Sequence, residues 1–141
     1  MTCYSNPMSE WPDIENFLER DAENPDRLFD ADCLFCKIAA NEIPADVVAT
    51  STNAIAFRDI NPQAPLHALV IPTDHYETVA ELAADNPDLL AELIGLAEGV
   101  ADLAADGDFR LIFNSGADAG QSVPHVHGHV LGGKQLGWNP A

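Results

Sequence analysis

The chain has 141 residues, enough for one domain with a real core and too few for two. Its 6 Lys+Arg against 23 Asp+Glu give a formal net charge of -17, a surface that repels polyanions and lacks a basic patch, which argues against a nucleic acid partner. No apolar run reaches membrane-spanning length, and Met1 to Glu10 lacks the charged and apolar regions of a secretory leader, so a cytoplasmic protein with no membrane partner is expected.

Residues 1–30 form a polar, acidic N-terminal extension interrupted by Pro7, Pro12 and Pro25. Within it, Trp11 to Asp21 predicts a short helix with Ile14, Phe17 and Leu18 on one docked face, a disordered tail being the alternative. From there on, short apolar runs alternate with turn residues. Cys33 to Ala39 reads as one helical turn. Val47 to Ala49 and Ala54 to Arg58 read as two strands around a polar turn, His67 to Ile71 as a third, Phe109 to Phe113 as a fourth and His127 to Leu131 as a fifth. A short helix is expected over roughly Thr78 to Ala84. A long one follows, with Asn86 as cap, Pro87 in first position, and Leu89, Leu93, Leu96, Val100 and Leu103 on one face, ending before Gly107. The order predicts an α+β domain over 31–141, with the long helix covering one sheet face and the other left for a site or a partner.

The chemistry concentrates in Gln121 to Val130, which holds three of the five histidines. A strand there would place His125, His127 and His129 in one row, with Val126 and Val130 turned toward a core. Closely spaced imidazoles can hold a neutral nucleophile beside a protonated partner near neutral pH, although an HxHxH string by itself reads equally well as a metal-binding tract. Cys33-x-x-Cys36 plus two distant histidines supply the four N/S ligands of a tetrahedral zinc site, and the odd count of three cysteines fits a metal pair better than disulfides. Asn114 to Ser122 is a Gly-containing polar loop whose N–H groups and Ser122 hydroxyl could approach an anion such as phosphate.

These stretches together resemble the histidine triad (HIT) family. The resemblance runs from Cys33 to Trp138 and rests on His125-Val126-His127-Gly128-His129-Val130, with Gly128 where the family usually has a hydrophobic residue. It also rests on Cys33-Leu34-Phe35-Cys36, Glu42-Ile43-Pro44, Ala56-Phe57-Arg58-Asp59-Ile60, Pro62-Gln63-Ala64-Pro65-Leu66-His67 and Val70-Ile71-Pro72. Ser122 and the ending Gly132-Gly133-Lys134-Gln135-Leu136-Gly137-Trp138 look most like the Hint branch.

The resemblance implies a five-stranded antiparallel sheet continued across a homodimer, with Trp138 reaching toward the partner's site. It implies hydrolysis of purine nucleoside 5′-phosphoramidates or acyl-adenylates through a nucleotidyl-histidine. His127 would be the nucleophile, with His129, Ser122 and His67 in supporting catalytic roles. AMP or an adenosine 5′-conjugate would lie against Asp59 at the ribose, against the backbone near Gln121 at the phosphate, and against Phe35, Phe57 and Ile60 at the base, unless those three simply pack in the core, with Asn114 and His67 completing the pocket. Cys33, Cys36, His75 and His125 would hold a structural Zn2+; strict strand alternation opposes this by placing His125 beside His127, although His125 follows Pro124 at the strand's edge, where twist could turn it aside. Dinucleoside polyphosphate hydrolysis, as in the Fhit branch, and a non-catalytic nucleotide-binding protein are the alternatives.

Overall fold

A computed structural model describes residues 29–138. The expected helix Trp11 to Asp21, Cys3, and all of the N-terminal extension but Phe29 and Asp30 lie outside the described residues.

A six-residue helix, α1 (Leu34–Ala39), opens the domain where one turn was expected. Its N-cap is Cys33, whose sulfur accepts the Cys36 N–H at 3.4 Å. Strands β1 (Val47–Thr50), β2 (Ala54–Arg58) and β3 (Leu66–Pro72) form a meander. Two helices follow, α2 (Val79–Asp85), capped by the Thr78 hydroxyl, and α3 (Pro87–Ala104), capped by the Asn86 side chain. Strands β4 (Arg110–Phe113) and β5 (Gly128–Gly132) complete an antiparallel sheet in the order β1-β2-β3-β5-β4. Gly107, at φ +90°, closes the end of α3 by donating its N–H to the Ala101 carbonyl at 3.0 Å.

The register assigns the two sheet faces. Leu69 pairs with His129 and Ala68 with Val130, so His67, Leu69 and His129 share one face while Ala68, Val70 and Val130 share the other. The second set packs with Leu89, Leu93, Ala97 and Val100 of α3 in the main core. The α3 stripe differs from the expected one at its end, because Leu103 is 81 % exposed and the smaller Ala97 and Ala101 are fully buried in its place. The first face receives α1, through Phe35, Cys33 and Cys36 against Phe57, Leu69 and Ile71.

Strand β5 begins at Gly128, one residue later than the sequence reading placed it. A Cβ on Gly128 would come within 2.8 Å of Leu111 Cδ1 and 3.0 Å of Phe113 Cε1, so two large β4 side chains fill the space that the family's hydrophobic residue would take.

Candidate active site and metal centre

The expected single row of three imidazoles does not form, since His125 and His127 precede β5 and only His129 stands in the strand. The backbone turns tightly about Pro124, with the His125 N–H donating to the Val123 carbonyl at 2.8 Å, and Val126 is pinned by its N–H to the Tyr76 carbonyl at 2.8 Å. That turn breaks the alternation and sends the His125 ring under α1, away from His129.

His125 thereby joins Cys33, Cys36 and His75. Cys33 Sγ lies 3.3 Å from His125 Nδ1, Cys36 Sγ 3.3 Å from His75 Nδ1 and 3.4 Å from His125 Nδ1, and the two Nδ1 atoms are 3.2 Å apart. These are close to the ligand-to-ligand separations around one tetrahedral ion with bonds of about 2.0–2.3 Å. The rear nitrogen supplies a second test. His125 Nε2 sits 3.0 Å from the Pro72 carbonyl, which can only accept, so the proton is on Nε2 and the Nδ1 lone pair points at the sulfurs. The Asp30 N–H reaches Cys36 Sγ at 3.5 Å, a donor suited to a thiolate. Burial disfavours charge on Cys36, His75 and His125. It pushes the Cys36 thiol up to about 12 and, with neighbouring His75 and His127 adding to it, pulls His125 down to about 4. Donor set, spacing and tautomer fit a Cys2His2 metal centre.

His127 is 6 % exposed and stands edge-on to Phe35, ring centroids 5.0 Å apart. Its Nδ1 lies 2.8 Å from the His125 carbonyl, so Nδ1 carries the proton and Nε2 a lone pair. Burial lowers its pKa, and the carbonyl bond and the Asp59 carboxylate only partly offset this, which keeps the ring neutral and nucleophilic. His129 lies next to it, centroids 5.3 Å apart, its pKa also lowered by burial and by the neighbouring imidazoles.

Behind His129 stands His67, with Nε2 3.0 Å from His129 Nδ1 and 3.4 Å from Asp59 Oδ2. The Gln63 N–H donates to His67 Nδ1 at 3.0 Å, and Asp59 Oδ1 accepts the Asn61 N–H at 2.8 Å. Asp59, Ile60, Phe35, Phe57 and Ser122 border one cavity of about 450 Å³. The cavity also touches Leu34, Ile38, Pro44 and Leu69, which sequence reading did not single out. The i, i+4 spacing of Leu34 and Ile38 on α1 was the available signal. Core packing accounts for Phe35 and Phe57, each 5 % exposed, but not for Ile60, whose side chain is wholly exposed at the cavity rim.

The Gly-rich loop differs from expectation in how it spends its polar groups. The N–H groups of Gly116, Ala119, Gly120 and Gln121 all donate within the loop, to Gln121 Oε1 or to the carbonyls of Gly116 and Ala117. Gln121 Nε2 holds the Glu77 and Val123 carbonyls at 2.7 and 3.0 Å, and Asn114 Nδ2 holds that of Ala119 at 2.8 Å. Four of the loop's amides thus brace the loop itself, and Ser122 follows them at the edge of the cavity.

Known proteins share this arrangement of sequence and fold. The HIT domain family matches residues 40–136. The purine nucleoside phosphoramidase of Escherichia coli K12 is 43 % identical over 107 residues, 74 % of this chain and 89 % of that protein, and a HIT-like protein of Synechocystis is 42 % identical over 110 residues, 77 % and 96 % of the two chains. The crystal structure of a HIT family hydrolase from Legionella pneumophila superposes with a TM-score of 0.72 at 46 % identity, covering 78 % of this chain and all of that one. A 0.95 Å histidine triad protein from Clostridium difficile gives the same TM-score at 38 % identity, covering 77 % and 96 %.

Proposed function

The chain belongs to the HIT family, and on that premise we propose that it hydrolyses purine nucleoside 5′-phosphoramidates or acyl-adenylates through a nucleotide held covalently on His127. The observation that carries this reading is the bond from His127 Nδ1 to the His125 carbonyl, which leaves a neutral Nε2 lone pair beside His129. In the first step that lone pair attacks the α-phosphorus, the Nε2–P bond forms and the bond to the leaving group breaks: a P–N bond whose amine departs with a proton taken from the medium, or in an acyl-adenylate a P–O bond whose carboxylate departs unprotonated. In the second step water breaks the Nε2–P bond, its oxygen staying on the nucleotide and its proton returning to the medium, so His127 ends as it began. His129, His67 and Ser122 act on the phosphoryl oxygens and the leaving group. Asp59 receives the ribose hydroxyls, while Phe35, Phe57 and Ile60 flank the base in the cavity they border. Asn114 and Gln121 serve nucleotide binding by bracing the loop that carries Ser122.

Cys33, Cys36, His75 and His125 hold a structural zinc ion that ties α1 to the segment before His127. The protein is a homodimer. The sheet ends at β4, and Ile94 and Leu103 of α3 remain exposed on the single chain at 44 % and 81 %, which favours continuation of sheet and helix packing across a two-fold axis, with Trp138 near the partner's site. Sedimentation at micromolar concentration checks this; a monomer would overturn it. No helix among the described residues is long and apolar enough to cross a membrane.

The activity is tested with an adenosine 5′-phosphoramidate and diadenosine tetraphosphate side by side, together with acid quench and mass analysis for a nucleotidyl adduct on the peptide that contains His127. Preferred cleavage of the phosphoramidate and an adduct on His127 are expected. Preference for the tetraphosphate would transfer the chain to the dinucleoside polyphosphate reading, and binding of AMP without turnover of either would leave a nucleotide-binding protein.

A further inference from the structure

We infer that the main-chain N–H of Gln63 is a positioning group for catalysis: acting through His67, it fixes His129 as the tautomer whose proton is on Nε2. Each link follows from hydrogen-bond valence. An N–H can only donate, so His67 Nδ1, 3.0 Å from the Gln63 nitrogen, must present a lone pair. His67 therefore cannot be the imidazolium, which has a proton on both nitrogens, and its single proton is on Nε2. The contact of His67 Nε2 with Asp59 Oδ2 at 3.4 Å is accordingly not an ion pair, and the shorter contact, 3.0 Å to His129 Nδ1, takes the proton as donor. The reverse direction, His129 donating to His67, would need a His67 ring with no proton at all. His129 Nδ1 is thus an acceptor, and neutral His129 has its proton on Nε2, the nitrogen on the other side of the ring from the His67 bond.

The inference rests on the proposed phosphoramidase reading for its catalytic consequence. When the α-phosphorus is attacked, charge grows on the phosphoryl oxygens, and an N–H held toward them is worth more than a lone pair, which would repel them. His127 needs the opposite tautomer, and a carbonyl behind its ring supplies it. Gln63 lies in Asn61-Pro62-Gln63-Ala64-Pro65, just before β3, and its amide meets His67 four residues on. Its side chain, which donates to the Asn61 carbonyl at 3.0 Å, plays no part in this chain of bonds.

The test is nitrogen-15 NMR of the histidine rings in the full chain, with Gln63→Pro, which removes the N–H, read against Gln63→Ala, which keeps it. In the unsubstituted protein we expect His67 and His129 both as the Nε2–H tautomer, with a coupling across the hydrogen bond from Gln63 N to His67 Nδ1. A proton on Nδ1 of either ring overturns the inference, and this measurement stands even where the proline variant does not fold. In folded Gln63→Pro, His67 is expected to redistribute between tautomers, His129 with it, and kcat for the phosphoramidate to fall about tenfold or more below Gln63→Ala with KM little moved. Unaltered His129 tautomer in Gln63→Pro overturns the inference. The stated tautomers in a protein that turns over no phosphoramidate would remove the proposed activity and leave the bond chain supported.

Discussion

Two clusters of imidazoles meet between residues 125 and 129, and their spacing hardly distinguishes them. Cys33, Cys36, His75 and His125 have ligand atoms 3.2–3.4 Å apart across their close pairs, and Asp59, His67 and His129 have theirs 3.0 and 3.4 Å apart. Either set lies close enough to surround an ion. What separates them is the backbone group behind a ring. A carbonyl stands behind His125 and leaves its forward nitrogen with a lone pair, so the first set converges acceptors and calls for a cation. An amide stands behind His67 and leaves its forward nitrogen with a proton, so the second set is already joined by N–H bonds. His127, between them, also has a carbonyl behind it, which leaves its Nε2 with the lone pair that the proposed reaction would use.

His127 is where the two clusters part most sharply in expected effect. His127→Ala is expected to lower kcat on a phosphoramidate by about four orders of magnitude or more, since the covalent route is lost, while AMP binding by calorimetry, metal content and melting temperature stay close to those of the unsubstituted chain. Near-normal hydrolysis by His127→Ala or His127→Asn would remove the nucleophile's role from this residue.

Next in size is the loss of the metal. Cys36→Ala is expected to release the ion and to lower stability by several kcal/mol, because a bound ion would join Cys33 and Cys36 at the start of α1 to His75 and His125, and the substitution also removes a buried side chain from the α1–sheet cluster. Metal analysis sharpens the distinction between the clusters. The unsubstituted protein should contain one zinc per chain and the variant none. A second equivalent, or one retained after Cys36→Ala, would mean that Asp59, His67 and His129 bind metal after all.

Much of this was legible in the sequence because periodicity and punctuation are local. The cap at Asn86, the five apolar runs and the CxxC pair each signal themselves within a few residues, whereas Thr78, expected as the first residue of the short helix, is its cap. The co-location of His75 and His125 with the cysteines was expected from resemblance alone, and strict strand alternation pointed the other way. The conflict is resolved at Pro124, the residue where twist was expected to turn position 125 aside; the device is a tight turn before the strand rather than twist within it. Gln63 and Pro72 were invisible as site residues for a plainer reason: they contribute main-chain atoms, which any residue possesses. Four of the loop amides are taken up within the loop, since glycines that permit an anion site also permit a loop to satisfy some of its own amides.

A pH profile of the metal-free protein probes the first cluster without mutation. His125 is wholly buried, and its folded pKa of about 4 lies below the usual 6.5, so between those values the unfolded chain binds the extra proton. This contribution is therefore complete above pH 6.5 and is lost as pH falls toward 4. It amounts to roughly 3 kcal/mol at most. His75, likewise lowered by burial, acts in the same sense. Urea midpoints of the chelated protein should fall steadily from pH 7 to pH 5, and a flat profile over that range would show that the His125 ring is not held neutral by its surroundings.

The smallest effect expected is at Asp59, and it asks whether the second cluster serves the nucleotide or only itself. Asp59 Oδ1 accepts the Asn61 N–H and Oδ2 lies near His67, yet the side chain is 17 % exposed and borders the cavity, so the carboxylate has open directions in which to accept from a ribose. Hydrogen bonds to a charged acceptor contribute about 1.5–3 kcal/mol, so Asp59→Asn should weaken AMP binding by roughly tenfold or more. A general loosening of the site could do the same, and the substrate supplies the control. The 2′-deoxy and ribo phosphoramidates should differ in KM for the unsubstituted enzyme and converge in Asp59→Asn, because a lost partner on either side removes the same bond. Equal discrimination in both proteins would confine Asp59 to bracing the turn at Asn61 and the edge of His67, and the ribose would have to be recognised by another group on the cavity wall.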